Sequence, residues 1–176
     1  MMESTTRGAS GSKAVFYQML CEQLDQLLGE ERNFTANAAN TAALLYQLLP
    51  DVNWVGFYIL DGKDLVLGPF QGKPACARIA LGKGVCGTAA IEHRTIVVPD
   101  VNRFEGHIAC DTASQSEIVV PLLNWGKLIG VLDIDSASLN RFDEEDREGL
   151  ESVAAVFLAS QTSDDLPDLS ERAARN

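Results

Sequence analysis

The chain is poor in positive charge, in cysteine and in long apolar runs, and each shortage removes a class of function. Lysine and arginine total 14 against 25 aspartates and glutamates, a formal net charge of -11 at pH 7, so the average field repels nucleic acid and anionic lipid. Neither nucleic acid nor membrane is expected as a partner. No stretch reaches the roughly 18 apolar residues of a spanning helix, and the polar segment from Met1 to Gly11 lacks the apolar core of a secretory signal. A cytoplasmic location is the expectation. Four cysteines, at 21, 76, 86 and 110, are too few for a disulfide-rich secreted scaffold, so they are expected as thiols at rest. The chain also lacks CxxC and HxxxH spacings, a GxxxxGK phosphate loop and any internal repeat.

What is present suits one globular domain. Of 176 residues, 46% are hydrophobic and 22% charged. Residues 13–160 form the expected domain, long enough to bury roughly two thirds of its unfolded surface without disulfides or a structural metal. A disordered extension over 1–12 and a polar tail over 161–176 flank it.

Two helical patterns come first. After Ser12 as N-cap, Phe16, Leu20, Leu24 and Leu27 recur at three- and four-residue steps, with Cys21 read as core and Gly29 as the stop. A second helix runs from an Asn33 cap to Leu49, ended by Pro50. Then the pattern turns to strands: Trp54 to Leu60 and Leu65 to Phe70 around Asp61-Gly62, the stretch from Pro74 to Leu81 with Cys76 in it, and Thr95 to Val98. The glycine-punctuated segment 82–92 has room for one short helix. From Pro99 to Gln115 there is no periodicity, and a loop that long in a compact domain is usually functional. Glu117 to Leu123 and Leu128 to Ile134 make a closing hairpin, and Asp143 caps a last helix. This order implies an α+β domain, with helices over one face of an antiparallel sheet and loops shaping the other.

The closing hairpin carries chemistry. With Asn124-Trp125-Gly126 as a three-residue loop, Glu117 stands opposite Asp133, and Asp135 shares its face, so three carboxylates converge. A two-residue loop would put Glu117 on the other face from both aspartates. Asp133 interrupts an apolar run, where an unpartnered charge is costly. Acids held together raise at least one pKa, so one carboxyl can stay protonated as a proton donor. Alternatively the patch receives a cation, a metal or a ligand ammonium. Cys110, in the loop sequence His107-Ile108-Ala109-Cys110-Asp111, is a candidate nucleophile. Cys76 and Cys86 read individually as buried thiols, yet with Cys110 they permit a nucleophile and a resolving partner. A zinc site from Cys76, Cys86, Cys110 and His93 or His107 is the competing use of the same residues. Trp54, Gly56 and Tyr58 share a strand face, where Trp54 can wall an apolar pocket.

Six segments together resemble the free methionine-(R)-sulfoxide reductases, a family built on a GAF domain: Asn53-Trp54-Val55-Gly56-Phe57-Tyr58; Gly68-Pro69-Phe70-Gln71-Gly72 with Pro74-Ala75-Cys76; Gly82 to Ala89; Gly106 to Asp111; Ser116 to Leu122; and Gly130 to Ser136. Asn102 and Glu105 depart from the family pattern, which has His and Pro there. The resemblance implies a six-stranded antiparallel sheet, a homodimer, and reduction of free methionine (R)-sulfoxide with thioredoxin-like proteins restoring the enzyme. It further implies Cys110 as nucleophile, Cys76 or Cys86 as resolving thiol, and Glu117, Asp133 and Asp135 as the groups that bind substrate and polarise its sulfoxide. Trp54, Tyr58, Ala109 and Asp111 would complete the substrate site, with no metal, flavin or nicotinamide cofactor. The rival expectation is a sensory GAF module that binds a small ligand and does no chemistry.

Overall fold

In the computed structural model, which describes residues 13–108 and 112–161, six strands form one antiparallel sheet. The strands are β1 (Trp54–Asp61), β2 (Asp64–Gly72), β3 (Arg78–Ala80), β4 (Ile96–Val98), β5 (Ser116–Asn124) and β6 (Lys127–Ser136), in the spatial order β3-β2-β1-β6-β5-β4. The helices are α1 (Lys13–Leu28), α2 (Phe34–Leu48), α3 (Gly84–Glu92) and α4 (Glu144–Ala159). Among the described residues no helix is long and apolar enough to cross a membrane.

Alternation along the strands splits the interior in two. Val55, Phe57, Ile118, Val120, Leu132 and Ile134 pack with α1, α2 and α4 into the larger core. Trp54, Tyr58, Val119 and Val131 face the other way and pack with α3 and with Ile96 and Val98 of β4. The second face is therefore not left to loops alone; one short helix, Gly84–Glu92, lies over it.

Local sequence explains the boundaries. The Asn33 side chain accepts from the Ala36 N–H at the start of α2, and Asp143 and Asp146 form a capping box at the start of α4. The buried stripe of α1 is Tyr17, Leu20, Leu24 and Leu28, with Leu27 47% exposed, so the helix is rotated from the stripe its leucines predict. The cause is polar. The Tyr17 hydroxyl donates to buried Asp146 at 2.8 Å, and its ring rests on Gly149, where an added Cβ would fall 2.1 Å away. Asp146 also accepts from Lys13 at 2.7 Å, Arg141 at 3.2 Å and the Asp143 N–H at 3.0 Å. Asp146→Asn is expected to lower stability by about 2 kcal/mol, read from urea midpoints, because it weakens several charge-assisted hydrogen bonds at once. Cys21, read as core, is only half buried and is a free thiol.

Two further expectations are corrected. Cys76 does not lie in a strand: β3 begins at Arg78, and the preceding connection carries Pro74, which has no N–H for a ladder. The closing hairpin turns on two residues, Trp125 at φ 50° and Gly126 at φ 79°, with Asn124 opposite Lys127. That loop alone would have separated the acids. A β-bulge between Leu122 and Leu123 adds one residue on β6, so that Leu123 pairs with Leu128 but Leu122 with Gly130. The shift restores the shared face in a different register: Glu117 stands opposite Asp135, and Asp133 opposite Val119.

Candidate active site

The three carboxylates converge on the α3 side of the sheet, where β5 contributes Glu117 and the central strand β6 contributes Asp133 and Asp135. Across the other edge of β6, Trp54 pairs with Asp135 and Gly56 with Asp133. Cys86 comes down from α3, its Sγ 4.0 Å from Oε1 of Glu117. His107 Nε2 lies 3.7 Å from Oε2 of Glu117. These side chains, with Ile108 and Ser114, line a cavity of about 30 Å³.

Burial sets the electrostatics. Glu117 and Asp133 are each 6% exposed, and taking a carboxylate out of water favours its neutral form. Burial, then the charges of Asp133 and Asp135, pushes Glu117 well above the usual carboxylate range. Asp133 is pushed up to about 6 by burial, partly offset by hydrogen bonds from Cys86, Glu117 and the Ile134 backbone. Both carboxyls are thus biased toward their neutral forms, which favours retention of a proton between them. The Cys86 thiol is pushed well up by burial and by the same two acids. His107 is pushed down by burial, toward the neutral imidazole. Oδ1 of Asp133 is buried and accepts no hydrogen bond from any described residue.

Trp54 and Tyr58 do not line this cavity; they anchor the connection that precedes β3. The Trp54 indole stacks on Phe70 with centroids 5.3 Å apart and donates to the Lys73 carbonyl at 3.0 Å. The Tyr58 hydroxyl donates to the Cys76 carbonyl at 2.9 Å. Two buried aromatics of β1 therefore pin the Lys73–Cys76 connection over the sheet. Gly56 makes room for the arrangement, since a Cβ there would lie 2.4 Å from the Trp54 ring and 2.5 Å from Phe70. Gly56→Ala is expected to cost about 1–3 kcal/mol by overpacking, seen in thermal melts together with a changed Trp54 fluorescence.

The described cysteines divide into two states. Cys76 is disulfide-bonded, Cys86 and Cys21 are free, and the expectations on Ala109, Cys110 and Asp111 lie outside the described residues. The histidines divide too. His107 joins the cavity, whereas His93, left-handed at the end of α3, lines a separate groove beside α4. Sequence reading missed Ser114, which lines the cavity while its hydroxyl accepts from Asn53 at 3.2 Å and ties the loop end to the start of β1. Its position inside an aperiodic stretch gave no signal. It also missed the carbonyls of Lys73 and Cys76 as anchor points.

The family model for the GAF domain matches residues 33–159. The chain is 52% identical to the free methionine-R-sulfoxide reductase of Escherichia coli over 82% of this chain and 87% of that one. It is 44% identical to the enzyme of the same name from Saccharomyces cerevisiae over 85% and 87%. Among solved structures it superposes, at a TM-score of 0.82 and 44% identity over 86% of this chain and 92% of the other, on the free methionine-R-sulfoxide reductase of Neisseria meningitidis in complex with its substrate.

Proposed function

Because the chain belongs to the GAF-domain family of free methionine-R-sulfoxide reductases, we propose that it reduces free L-methionine (R)-sulfoxide to L-methionine at the cavity under α3. The observation that carries the reading is the convergence of Glu117, Asp133 and Asp135 on one small cavity, in a fold shared with a substrate-bound relative.

The chemistry follows from what each group offers. The Cys110 thiolate attacks the sulfoxide sulfur while Glu117, kept protonated by burial and by two neighbouring anions, donates to the sulfoxide oxygen. Collapse releases methionine and leaves the oxygen on Cys110 as a sulfenic acid. A second thiolate attacks that sulfur, expels water and closes a disulfide; an external dithiol of the thioredoxin type then reduces it by exchange. The balance is one sulfoxide and two thiols to one thioether, one disulfide and one water. Cys76 serves as the resolving thiol in this reading. Cys76 is disulfide-bonded whereas Cys21 and Cys86 are free, which supports Cys76 over Cys86 in that role. Cys86 is left as a thiol beside the acids.

Asp133 and Asp135 supply negative charge for the substrate ammonium, Trp54 and Tyr58 back the site by holding the Lys73–Cys76 connection, and Ala109 and Asp111 flank the nucleophile. A cavity of about 30 Å³ holds roughly one water, so substrate entry displaces part of its wall. So small a site suits one amino acid rather than a polypeptide. Homodimeric assembly and a cytoplasmic setting belong to the same proposal.

A thiol titration of the fully reduced protein tests it. Adding free methionine (R)-sulfoxide without reductant is expected to remove two thiols per chain and release one equivalent of methionine. An unchanged thiol count with tight binding would instead make the chain a sensory ligand-binding module.

A further inference from the structure

The mechanism leaves Cys86 idle, although it is buried against Glu117 and Asp133. We propose that Cys86, Glu117 and Asp133 form a binding site for a thiophilic divalent cation of the Zn²⁺ class, whose occupancy shuts methionine sulfoxide out.

The geometry carries this. One ligand atom from each of the three side chains lies within 4.8 Å of the other two, and all three residues are buried. Around a tetrahedral ion with bonds of about 2.0–2.3 Å, ligand atoms stand about 3.3–3.8 Å apart. The separation of 4.0 Å between Cys86 Sγ and Glu117 Oε1 needs only a small contraction. The three groups come from α3, β5 and β6, so regular structure rather than loop holds them in place, as a preformed site requires. The second, independent sign is Asp133. It is 94% buried by its residual exposure of 6%, lines the cavity, and its Oδ1 accepts nothing from any described residue. A buried carboxylate oxygen without a donor, on a residue that lines a polar cavity, is a coordination position open to a cation.

The donor set also says which cation. One thiolate with two carboxylates is too soft for Mg²⁺ or Ca²⁺, which take oxygen ligands alone, and suits Zn²⁺ or Co²⁺. His107 lies outside the three-atom cluster, with Nε2 3.7 Å from the other Glu117 oxygen, so a water completes four-coordination. The ion replaces mutual repulsion among three anionic ligands with attraction to one centre, and the Cys86 proton leaves as it binds. Occupancy would engage Glu117 and Asp133, so ion and substrate compete. This inhibitory consequence rests on the reductase reading; the binding itself does not.

Co²⁺ titrated into the fully reduced protein is the probe, because a thiolate ligand gives a near-ultraviolet charge-transfer band. One equivalent is expected to produce that band, and Zn²⁺ to displace it. Cys86→Ser should lose the band, and Asp133→Asn, which keeps the side-chain shape, should weaken binding by about a hundredfold. Each variant must first show a cooperative melt like the parent. Cys21→Ser and the double variant Cys76→Ser/Cys110→Ser should keep the band. A band that survives Cys86→Ser, that disappears with Cys76 and Cys110, or that never forms in the parent would overturn the site. In turnover assays Zn²⁺ should raise the apparent KM for free methionine (R)-sulfoxide and leave kcat unchanged, whereas a lowered kcat at saturating substrate would overturn the competition. Absence of turnover before any metal is added would count against the reductase reading alone, since the cobalt titration uses no substrate.

Discussion

Cys110→Ser is expected to abolish turnover, lowering kcat by at least about a thousandfold, with folding unchanged. A hydroxyl is a far weaker nucleophile than a thiolate toward sulfoxide sulfur, and it cannot carry the oxygen away as a sulfenic acid. The contrast variant is Cys21→Ser. Cys21 packs among the helices on the opposite face of the sheet, so its loss should leave kcat near the parent value. Cys76→Ser separates the two halves of the cycle. It should still release one equivalent of methionine in a single turnover, because only the resolving step is lost, and then stall. Normal single-turnover methionine formation by Cys110→Ser, followed by rapid quenching and amino-acid analysis, would refute the nucleophile assignment.

Glu117→Gln is the second large effect, a loss of about 10²–10⁴-fold in kcat/KM. The amide keeps the shape and hydrogen-bonding reach of the carboxyl but has no acidic proton to give. The sign of the pH dependence distinguishes this from lost binding. Burial and the charges of Asp133 and Asp135 raise the Glu117 pKa, which extends its protonated form toward neutral pH, and kcat/KM should fall as pH rises through its titration. That alkaline limb should vanish in Glu117→Gln. Asp133→Asn removes one of the repelling charges and should move the limb to lower pH. A Gln variant that keeps both the rate and the alkaline limb would show that another group is the donor.

Much of the fold could be read from residue pattern, and the exceptions have identifiable causes. Asn33 and Asp143 cap their helices as side-chain chemistry predicts, and the hairpin at Asp61-Gly62 forms with Gly62 at φ 64°. The rotation of α1 escaped because Tyr17 is turned inward by Asp146, 129 residues away in sequence; no local period contains that information. The two-residue turn at Trp125 was the less expected of the two loops weighed, because a bulky aromatic is an unusual occupant of positive φ; the Trp125 side chain is 96% exposed there. The bulge that rescues the acid face had a signal in Gly130, a glycine inside an apolar strand; a Cβ at that position would lie 2.3 Å from the Tyr58 carbonyl oxygen. Convergence of the three acids was legible, but their register was not. The anchoring of the Cys76 connection by Trp54 and Tyr58 was hidden for a different reason. Hydrogen bonds to main-chain carbonyls leave no trace in the identity of the accepting residue.

The most direct test is a reductant-coupled assay that offers free L-methionine (R)-sulfoxide, the free (S) epimer and peptide-bound methionine sulfoxide side by side. Turnover with the free (R) epimer alone is the predicted result. Reduction of the peptide-bound form, or no reduction of any of the three by a fully reduced and folded protein, would contradict it.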